Sequence, residues 1–156
     1  MYKVAPIRRF LPEDAWNEEI LNYTIIVGCS RLAVRLATSY NEINRKFVII
    51  DSQEPLPGLV PDELIDNVFV ADPASELTLQ KVGIKHAKTL IAVSDDENIN
   101  IVVGQLAKTV YNTPKVIVKL YDDSKIPLFK ESGIETICPV ALAADAINSI
   151  TEETAE

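Results

Sequence analysis

A short turn of small residues is the part of this sequence whose residue types and spacing point to chemistry. It directly follows an apolar run and precedes a helical pattern. Such a turn can hold the pyrophosphate of a dinucleotide, because free backbone N–H groups at a helix start attract anions. The residues of the turn are, in order, Gly28, Cys29, Ser30, Arg31, Leu32 and Ala33.

Only the first of the three glycines that this type of turn uses is present. Gly28 supplies the tight turn, and Ala33 stands where a small residue lets helix and sheet pack closely. Ser30 replaces the glycine that lets the pyrophosphate approach the backbone. Its hydroxymethyl group either crowds the phosphate or hydrogen-bonds to it. The alternative is a turn of small residues that binds no ligand.

A carboxylate follows at the end of the next apolar run. Asp51 comes about 20 residues after the turn, where an acidic residue accepts hydrogen bonds from ribose hydroxyls. The alternative is an aspartate that forms a turn before Ser52. A carboxylate at this position disfavours a 2′-phosphate, so we expect NAD or an adenosine nucleotide rather than NADP.

Polar residues also follow the third and fourth apolar runs. Asp72, preceded by Ala71, either lines the adenine side of a crevice or caps a helix that begins near residue 75. The acidic segment Ser94-Asp95-Asp96-Glu97-Asn98 either caps the following helix and places favourable charge at its start, or forms one face of that crevice, with or without a bound cation.

Three side chains are candidates for charge or reactivity. Lys119, at the end of the fifth run, either reaches a phosphate or lies in solvent. Arg31 pairs with a phosphate, pairs with a carboxylate of another subunit, or is solvated. Cys29 lies at a helix start, which favours a thiolate. No base is close to it in sequence, so we expect a small apolar residue of the turn rather than a nucleophile.

The apolar runs predict six short strands that are buried on both faces. They alternate with helical patterns, which indicates an α/β, Rossmann-like doubly wound parallel six-stranded sheet with helices on both faces. The helix over 96–111 is so broadly apolar that we expect either burial or contact with another subunit. The predicted strands are 24–27, 47–50, 68–70, 90–93, 116–118 and 136–138, and the predicted helices are 30–42, 61–66, 74–83, 96–111, 124–132 and 140–150.

Length and charge narrow the class of protein. The 156 residues suit one domain, with an N-terminal arm over 1–21, a nucleotide-binding domain over 22–150 and an acidic tail over 151–156. A net charge of −8 opposes binding to nucleic acid or anionic lipid. Two cysteines and one histidine make a zinc site unexpected. With no apolar stretch of membrane-spanning length, we expect a cytoplasmic protein without direct membrane insertion.

Several segments, in order, resemble the N-terminal domain of regulators of potassium conductance, the RCK or KTN domain of TrkA-N type. The resemblance covers about four-fifths of the chain, between residues 23 and 150. It is carried by Tyr-Thr-Ile-Ile-Val-Gly-Cys-Ser-Arg-Leu-Ala at 23–33, Phe-Val-Ile-Ile-Asp at 47–51, Ala-Asp-Pro at 71–73, Leu79 through Gly83-Ile84 to Ala87, Asp-Glu-Asn at 96–98, Gly-Ile-Glu at 133–135 and Cys-Pro at 138–139.

The resemblance implies a regulatory subunit on the cytoplasmic face of a membrane potassium channel or transporter. Such domains bind NAD(H), ATP or ADP and assemble as homo-oligomers, either dimers or rings. It further implies that Arg31 contacts phosphate or bridges subunits, that Asp51 binds ribose, and that Asp72 and Asp96 border the site. The sequence ends soon after Ile150, so the family's second ligand-binding domain is expected to be absent from a single-domain or shortened form.

Two other functions stay open from the sequence. One is a scaffold for assembly whose nucleotide site has degenerated, which Ser30 and Ala33 favour. The other is an NAD-dependent oxidoreductase, although no acid–base pair is placed by the strands. A sensor rather than an enzyme is the expectation.

Overall fold

The computed structural model describes residues 22–153 and contains a six-stranded parallel sheet in the order β3-β2-β1-β4-β5-β6. This is the doubly wound order, in which the direction of winding reverses between β1 and β4. The predicted fold is therefore confirmed. The strands are β1 (Thr24–Val27), β2 (Phe47–Asp51), β3 (Val68–Val70), β4 (Thr89–Ala92), β5 (Lys115–Lys119) and β6 (Glu135–Ile137).

Four α-helices and three short 3₁₀ segments connect the strands within the described residues, and a fifth α-helix follows β6. The predicted helix at 61–66 is wrong in type, because the chain forms a 3₁₀ segment there. The predicted helix at 124–132 divides into a 3₁₀ segment and α4. The helices are α1 (Arg31–Glu42), α2 (Glu76–Lys81), α3 (Glu97–Thr109), α4 (Ile126–Glu131) and α5 (Pro139–Glu153), and the 3₁₀ segments are Asp62–Asn67, Ile84–His86 and Asp123–Lys125.

The core consists of two apolar layers, one on each face of the sheet. Ile26 and Ile49 point into the layer that Ala33 and Ala37 of α1 cover. Their neighbours in β1 and β2 point to the opposite layer, which packs on α2, α3 and α4. Every residue of β1 is buried, as expected of a central parallel strand.

The predicted arm and the predicted tail lie at the two ends of the chain. The arm over 1–21 lies outside the described residues, as do residues 154–156. Helix α5 runs from Pro139 to Glu153, across the predicted boundary between domain and tail at residue 150. No helix between residues 22 and 153 combines the length and apolar character required to cross a bilayer.

Helix α3 packs closely against the sheet through Gly104. A Cβ atom at this position would overlap Cγ2 of Val118, a fully buried residue of β5. The predicted burial of α3 is thus correct for one face, which carries Val103 and Ala107. Val102 and Val110 lie on the other face and are about half exposed.

We expect Gly104→Ala to destabilise the protein. The added methyl group overpacks the core, at a cost of about 1–3 kcal/mol, while alanine regains about 1 kcal/mol of helix propensity. Urea unfolding should therefore show a net loss of up to about 2 kcal/mol. Gln105→Ala, on the exposed face of the same helix, should change stability by less than about 0.5 kcal/mol. A more stable Gly104→Ala protein would contradict the close packing.

Candidate functional site

The turn after β1 lies in direct contact with the chain that follows β4. Gly28 has φ of +95°, and a Cβ atom there would overlap the backbone of Ser94. Its N–H donates to the Ile50 carbonyl at 2.7 Å. Glycine is required here both for the left-handed conformation and for the space. Gly28 and Ser94 therefore lie at the point where the winding of the sheet reverses, between β1 and β4.

Ser30 is the N-cap of α1. Its Oγ accepts a hydrogen bond from the Ala33 N–H at 3.2 Å and donates one to the Val93 carbonyl at 3.0 Å. The residue has φ of −90°, which any amino acid adopts. Neither its backbone conformation nor its contacts require glycine, and its hydroxyl joins α1 to the end of β4.

Two backbone donors at the start of α1 remain free. The N–H groups of Arg31 and Leu32 have no acceptor among the described residues. The Arg31 side chain is exposed and forms no ion pair within residues 22–153. An anion placed at this helix start would meet two N–H donors, a guanidinium and the positive end of the helix dipole.

Asp51 connects β2 to the turn. One carboxylate oxygen accepts from the Cys29 N–H at 2.7 Å, and the other accepts from the Gln53 N–H at 2.9 Å. The side chain thus forms the local turn that was the alternative interpretation, and it also fixes the 28–33 turn. An ionised carboxylate has about four acceptor positions. Two of them remain for a ligand's hydroxyl groups.

The Cys29 thiol is not activated. Burial, and to a smaller extent the neighbouring Asp51 carboxylate, raise the pKa of this thiol to about 11. The helix start predicted a favoured thiolate, but loss of solvation outweighs that attraction. At neutral pH, Cys29 is a protonated, half-buried residue of the turn.

Lys119 is buried, so its predicted alternative as a lysine in solvent is wrong. Its side chain is 8% exposed, and its Nζ lies 3.2 Å from Oδ1 of Asp95. The ammonium also lies 5.3 Å from the centre of the Tyr121 ring. Tyr121 in turn donates from its hydroxyl to the Asp95 carbonyl at 3.1 Å. These contacts join the end of β5 to the loop after β4.

Asn100 is a positioning residue that the sequence did not identify. Its side chain is fully buried in α3 and accepts from the Ser94 N–H at 2.8 Å. It also donates to the carbonyls of Ser94 and Lys119, at 2.9 and 3.2 Å. A polar residue in register with Val103 and Ala107 on a buried helix face was the pattern that could have identified it.

A second set of contacts holds the chain after β5. Glu97, in the first turn of α3, accepts from the Tyr121 N–H at 2.9 Å and pairs with Lys125. The bond from Lys125 is the main cause that lowers the pKa of Glu97. Asp96 is the N-cap of α3 and accepts from the N–H groups of Asn98 and Ile99. The predicted capping role of this acidic segment is thereby observed.

These features surround one crevice at the carboxyl ends of β1, β2, β4 and β5, with a volume of about 1610 Å³. Small-molecule sites typically have about 300–1,000 Å³, so size admits either a mononucleotide or a dinucleotide. The described residues contain no cluster of three or more potential metal ligands. The predicted site residues that line the crevice are Gly28, Cys29, Ser30, Arg31, Leu32, Asp51, Ser52, Ser94, Asp95 and Lys119.

Two predicted site residues do not line the crevice. Ala71 and Asp72 lie beyond it, and only the next residue, Pro73, reaches the lining. The Asp72 carboxylate accepts from the Ala74 N–H at 2.9 Å, while Ser75 is the N-cap residue of α2. Asp72 therefore forms a local turn before α2. The sequence also missed a wall of the crevice formed by residues 53–59, between β2 and the first 3₁₀ segment.

Comparison with known proteins identifies this architecture. The model of the TrkA-N domain matches residues 24–139, a span that includes all six strands. The chain belongs to the TrkA-N family. The resemblance inferred from the ordered segments is confirmed.

Two relatives of this TrkA-N chain are proteins of potassium transport. It is 24% identical over 123 residues to the Trk system potassium uptake protein TrkA of Streptomyces coelicolor, covering 79% of this chain and 55% of that protein. It is 30% identical over 131 residues to potassium channel protein 1 of Methanocaldococcus jannaschii, covering 78% of this chain and 37% of that protein. The chain thus spans about half of the first relative and less of the second.

Solved structures of GsuK share the fold. GsuK bound to ADP superimposes with a TM-score of 0.74 at 19% identity, over 85% of this chain and 34% of that chain. The GsuK channel bound to NAD gives a TM-score of 0.74 at 19% identity, over 92% of this chain and 24% of that chain. At this identity the likeness establishes the fold of the TrkA-N domain.

Gly28→Ala should destabilise the TrkA-N domain more than Gly58→Ala. Both glycines have positive φ, at +95° and +76°, but only a Cβ at Gly28 meets other atoms. We expect the conformational cost, about 1 kcal/mol, at Gly58 and at least about 2 kcal/mol more at Gly28 from backbone overlap. Urea unfolding of the two variants measures the difference, and equal losses would contradict the contact between Gly28 and Ser94.

The Cys29 thiol should titrate near pH 11. In a Cys138→Ser protein, which retains one cysteine, the rate of alkylation by iodoacetamide should rise with pH to about 11. Because the folded thiol has the higher pKa, its contribution to stability is complete below the unfolded pKa of about 8.5 and is lost as the pH rises through about 11. The same protein in guanidinium should show an ordinary midpoint near 8.5. A folded midpoint below 8.5 would contradict this result.

Proposed function

We propose that this chain is a nucleotide-sensing regulatory domain that controls potassium movement through a membrane partner. The observation that carries the proposal is the crevice at the reversal of the sheet. There the free N–H groups of Arg31 and Leu32 lie on the same cavity as the Asp51 carboxylate. Ligands of doubly wound sheets bind at this position, with phosphate at the helix start and ribose at the acidic residue.

The cations of the crevice support a phosphate-containing ligand, although carboxylates outnumber them there. Arg31, Arg35 and Lys119 contribute to the lining together with five carboxylates, namely Asp51, Glu54, Asp95, Asp96 and Glu97. Lys119 is paired with Asp95, whereas Arg31 lies in the first turn of α1, where a phosphate would meet both its guanidinium and the positive end of the helix dipole. The cofactor we propose is an adenine nucleotide, either NAD(H), ATP or ADP, and the ADP-bound and NAD-bound GsuK structures support this class.

The reactive groups of the crevice favour binding over catalysis. Its lining includes no histidine among the described residues, and the single cysteine there retains its proton at neutral pH. The relatives named above are a potassium uptake protein and a potassium channel protein. We therefore assign a regulatory role and not that of an oxidoreductase.

Regulation of a membrane partner requires a change of population. A nucleotide alters the protein only if it binds one conformation or assembly more tightly than another. We propose that the chain forms a homo-oligomer, a dimer or a ring, on the cytoplasmic face of the membrane. There it would contact a potassium-translocating subunit and shift that subunit's gate when one nucleotide replaces another.

Calorimetric titration with ADP, ATP, NADH and NADPH tests the binding step. We expect at least one of the first three to bind below millimolar concentration and NADPH to bind more weakly, because Asp51 repels a 2′-phosphate. Asp51→Asn should weaken binding about tenfold, the usual effect of losing a charged hydrogen bond. Glu42→Gln, at the opposite end of α1, should leave affinity unchanged. Absence of binding by all four would contradict the proposal.

The second candidate is an assembly scaffold whose site no longer binds. One observation favours it: the Ser30 hydroxyl occupies the Ala33 N–H, which leaves one donor fewer for a phosphate. Ser30→Gly distinguishes the two functions. In a scaffold, nucleotide binding appears only after this replacement, whereas in a sensor both proteins bind and differ in affinity.

A further inference from the structure

The two partners of the ion pair between Lys119 and Asp95 differ strongly in their exposure to solvent. The Lys119 side chain is 8% exposed, whereas the Asp95 side chain is 84% exposed. Both line the crevice. A buried ammonium needs an opposite charge, because loss of solvation penalises an unpaired one. An exposed carboxylate, in contrast, is readily solvated when its partner is taken away.

We propose that Asp95 is an internal competitor of the ligand: its carboxylate occupies Lys119 until a phosphate of the bound nucleotide replaces it. This inference rests on the proposed nucleotide binding and goes beyond it, because it makes Asp95 an inhibitory residue rather than a contact of the ligand. Lys119 exchanges one anion for another and stays neutralised. Asp95 exchanges the ammonium for water.

The position of Lys119 determines which part of a nucleotide can displace Asp95. Strand β5 is two strands from β1, so its end lies about 10 Å from the 28–33 turn at the usual spacing of about 4.8 Å. A phosphate bound at the start of α1 therefore lies on one side of the crevice. Lys119 would contact a part of the ligand that extends past this phosphate towards β5, such as the terminal phosphate of ATP.

Release of Asp95 would also alter its surroundings. The Tyr121 hydroxyl donates to the Asp95 carbonyl at 3.1 Å, and the Tyr121 ring lies beside the Lys119 ammonium. Contacts among these three residues thus join the loop after β4 to the end of β5 and the chain that follows it. Exchange of the Asp95 carboxylate for a phosphate gives the ligand a direct means of changing this loop, while Asn100 continues to hold Ser94.

Calorimetric titration of Asp95→Asn with ATP and AMP tests the competition. We expect ATP to bind about two- to fivefold more tightly than in the unmodified protein, the range that corresponds to one partly exposed ion pair. AMP, whose single phosphate does not extend to β5, should gain less than twofold. Lys119→Met should weaken ATP binding, because the ligand loses the cation while the aliphatic packing is kept.

The double variant Asp95→Asn/Lys119→Met separates competition from general charge. If Asp95 acts through Lys119, its replacement should bring no gain once the lysine is gone. Glu54→Gln removes a carboxylate from the same crevice that has no contact with Lys119, so it measures the effect of charge alone. An equal gain in Glu54→Gln, or a gain that persists without Lys119, would overturn the proposal.

The outcomes also separate this inference from the proposed function. If the unmodified protein binds ATP and Asp95→Asn binds no better, the competition is refuted and nucleotide binding stands. If Asp95→Asn binds ATP and the unmodified protein does not, the competition is supported in its strongest form. If neither binds ADP, ATP or NADH while thermal unfolding shows both to be folded, both proposals fall.

Discussion

The close contact between Gly28 and Ser94 is the constraint on which the crevice depends. It brings the end of β1 against the chain leaving β4, at the one place where the sheet changes its direction of winding. Two side chains support this contact: the Ser30 hydroxyl donates to the Val93 carbonyl, and Asn100 of α3 fixes Ser94 by binding both of its backbone groups. Glycine is required at position 28 because any side chain would force the two strand ends apart.

The contact between Gly28 and Ser94 also determines which charged groups share the crevice. Since β1 and β4 meet closely, the start of α1 and the loop before α3 share one cavity, and β5 adds Lys119 from the next position in the sheet. Each buried or half-buried charge there has a partner from a different strand. Asp51 accepts from Cys29, and Lys119 pairs with Asp95. At Lys119, binding an anion is therefore an exchange of one charged partner for another, whereas Arg31 forms no ion pair within residues 22–153 and would gain one.

The sequence predicted the sheet well because central parallel strands are buried on both faces and leave continuous apolar runs. β1 and β3 begin and end as predicted. The sequence predicted the type of helix at 62–67 less well, because a helical pattern of only six residues is compatible with a 3₁₀ helix as well as with an α-helix. The helical register of Asn100 with Val103 and Ala107 could have identified it as a buried polar residue, but its bond to the Lys119 carbonyl and the burial of Lys119 could not be predicted, since both depend on contacts between residues about 20 positions apart in the chain.

The loss of the second glycine changes how the turn can hold a phosphate. Ser30 has an ordinary φ, so a glycine there would contribute space and an uncapped donor rather than a special conformation. The serine hydroxyl takes the Ala33 N–H and leaves those of Arg31 and Leu32. With fewer backbone donors at the helix start, more of the attraction must come from side-chain charges. Control of those charges by a neighbouring carboxylate would then have a large effect on affinity, which is the arrangement seen at Lys119 and Asp95.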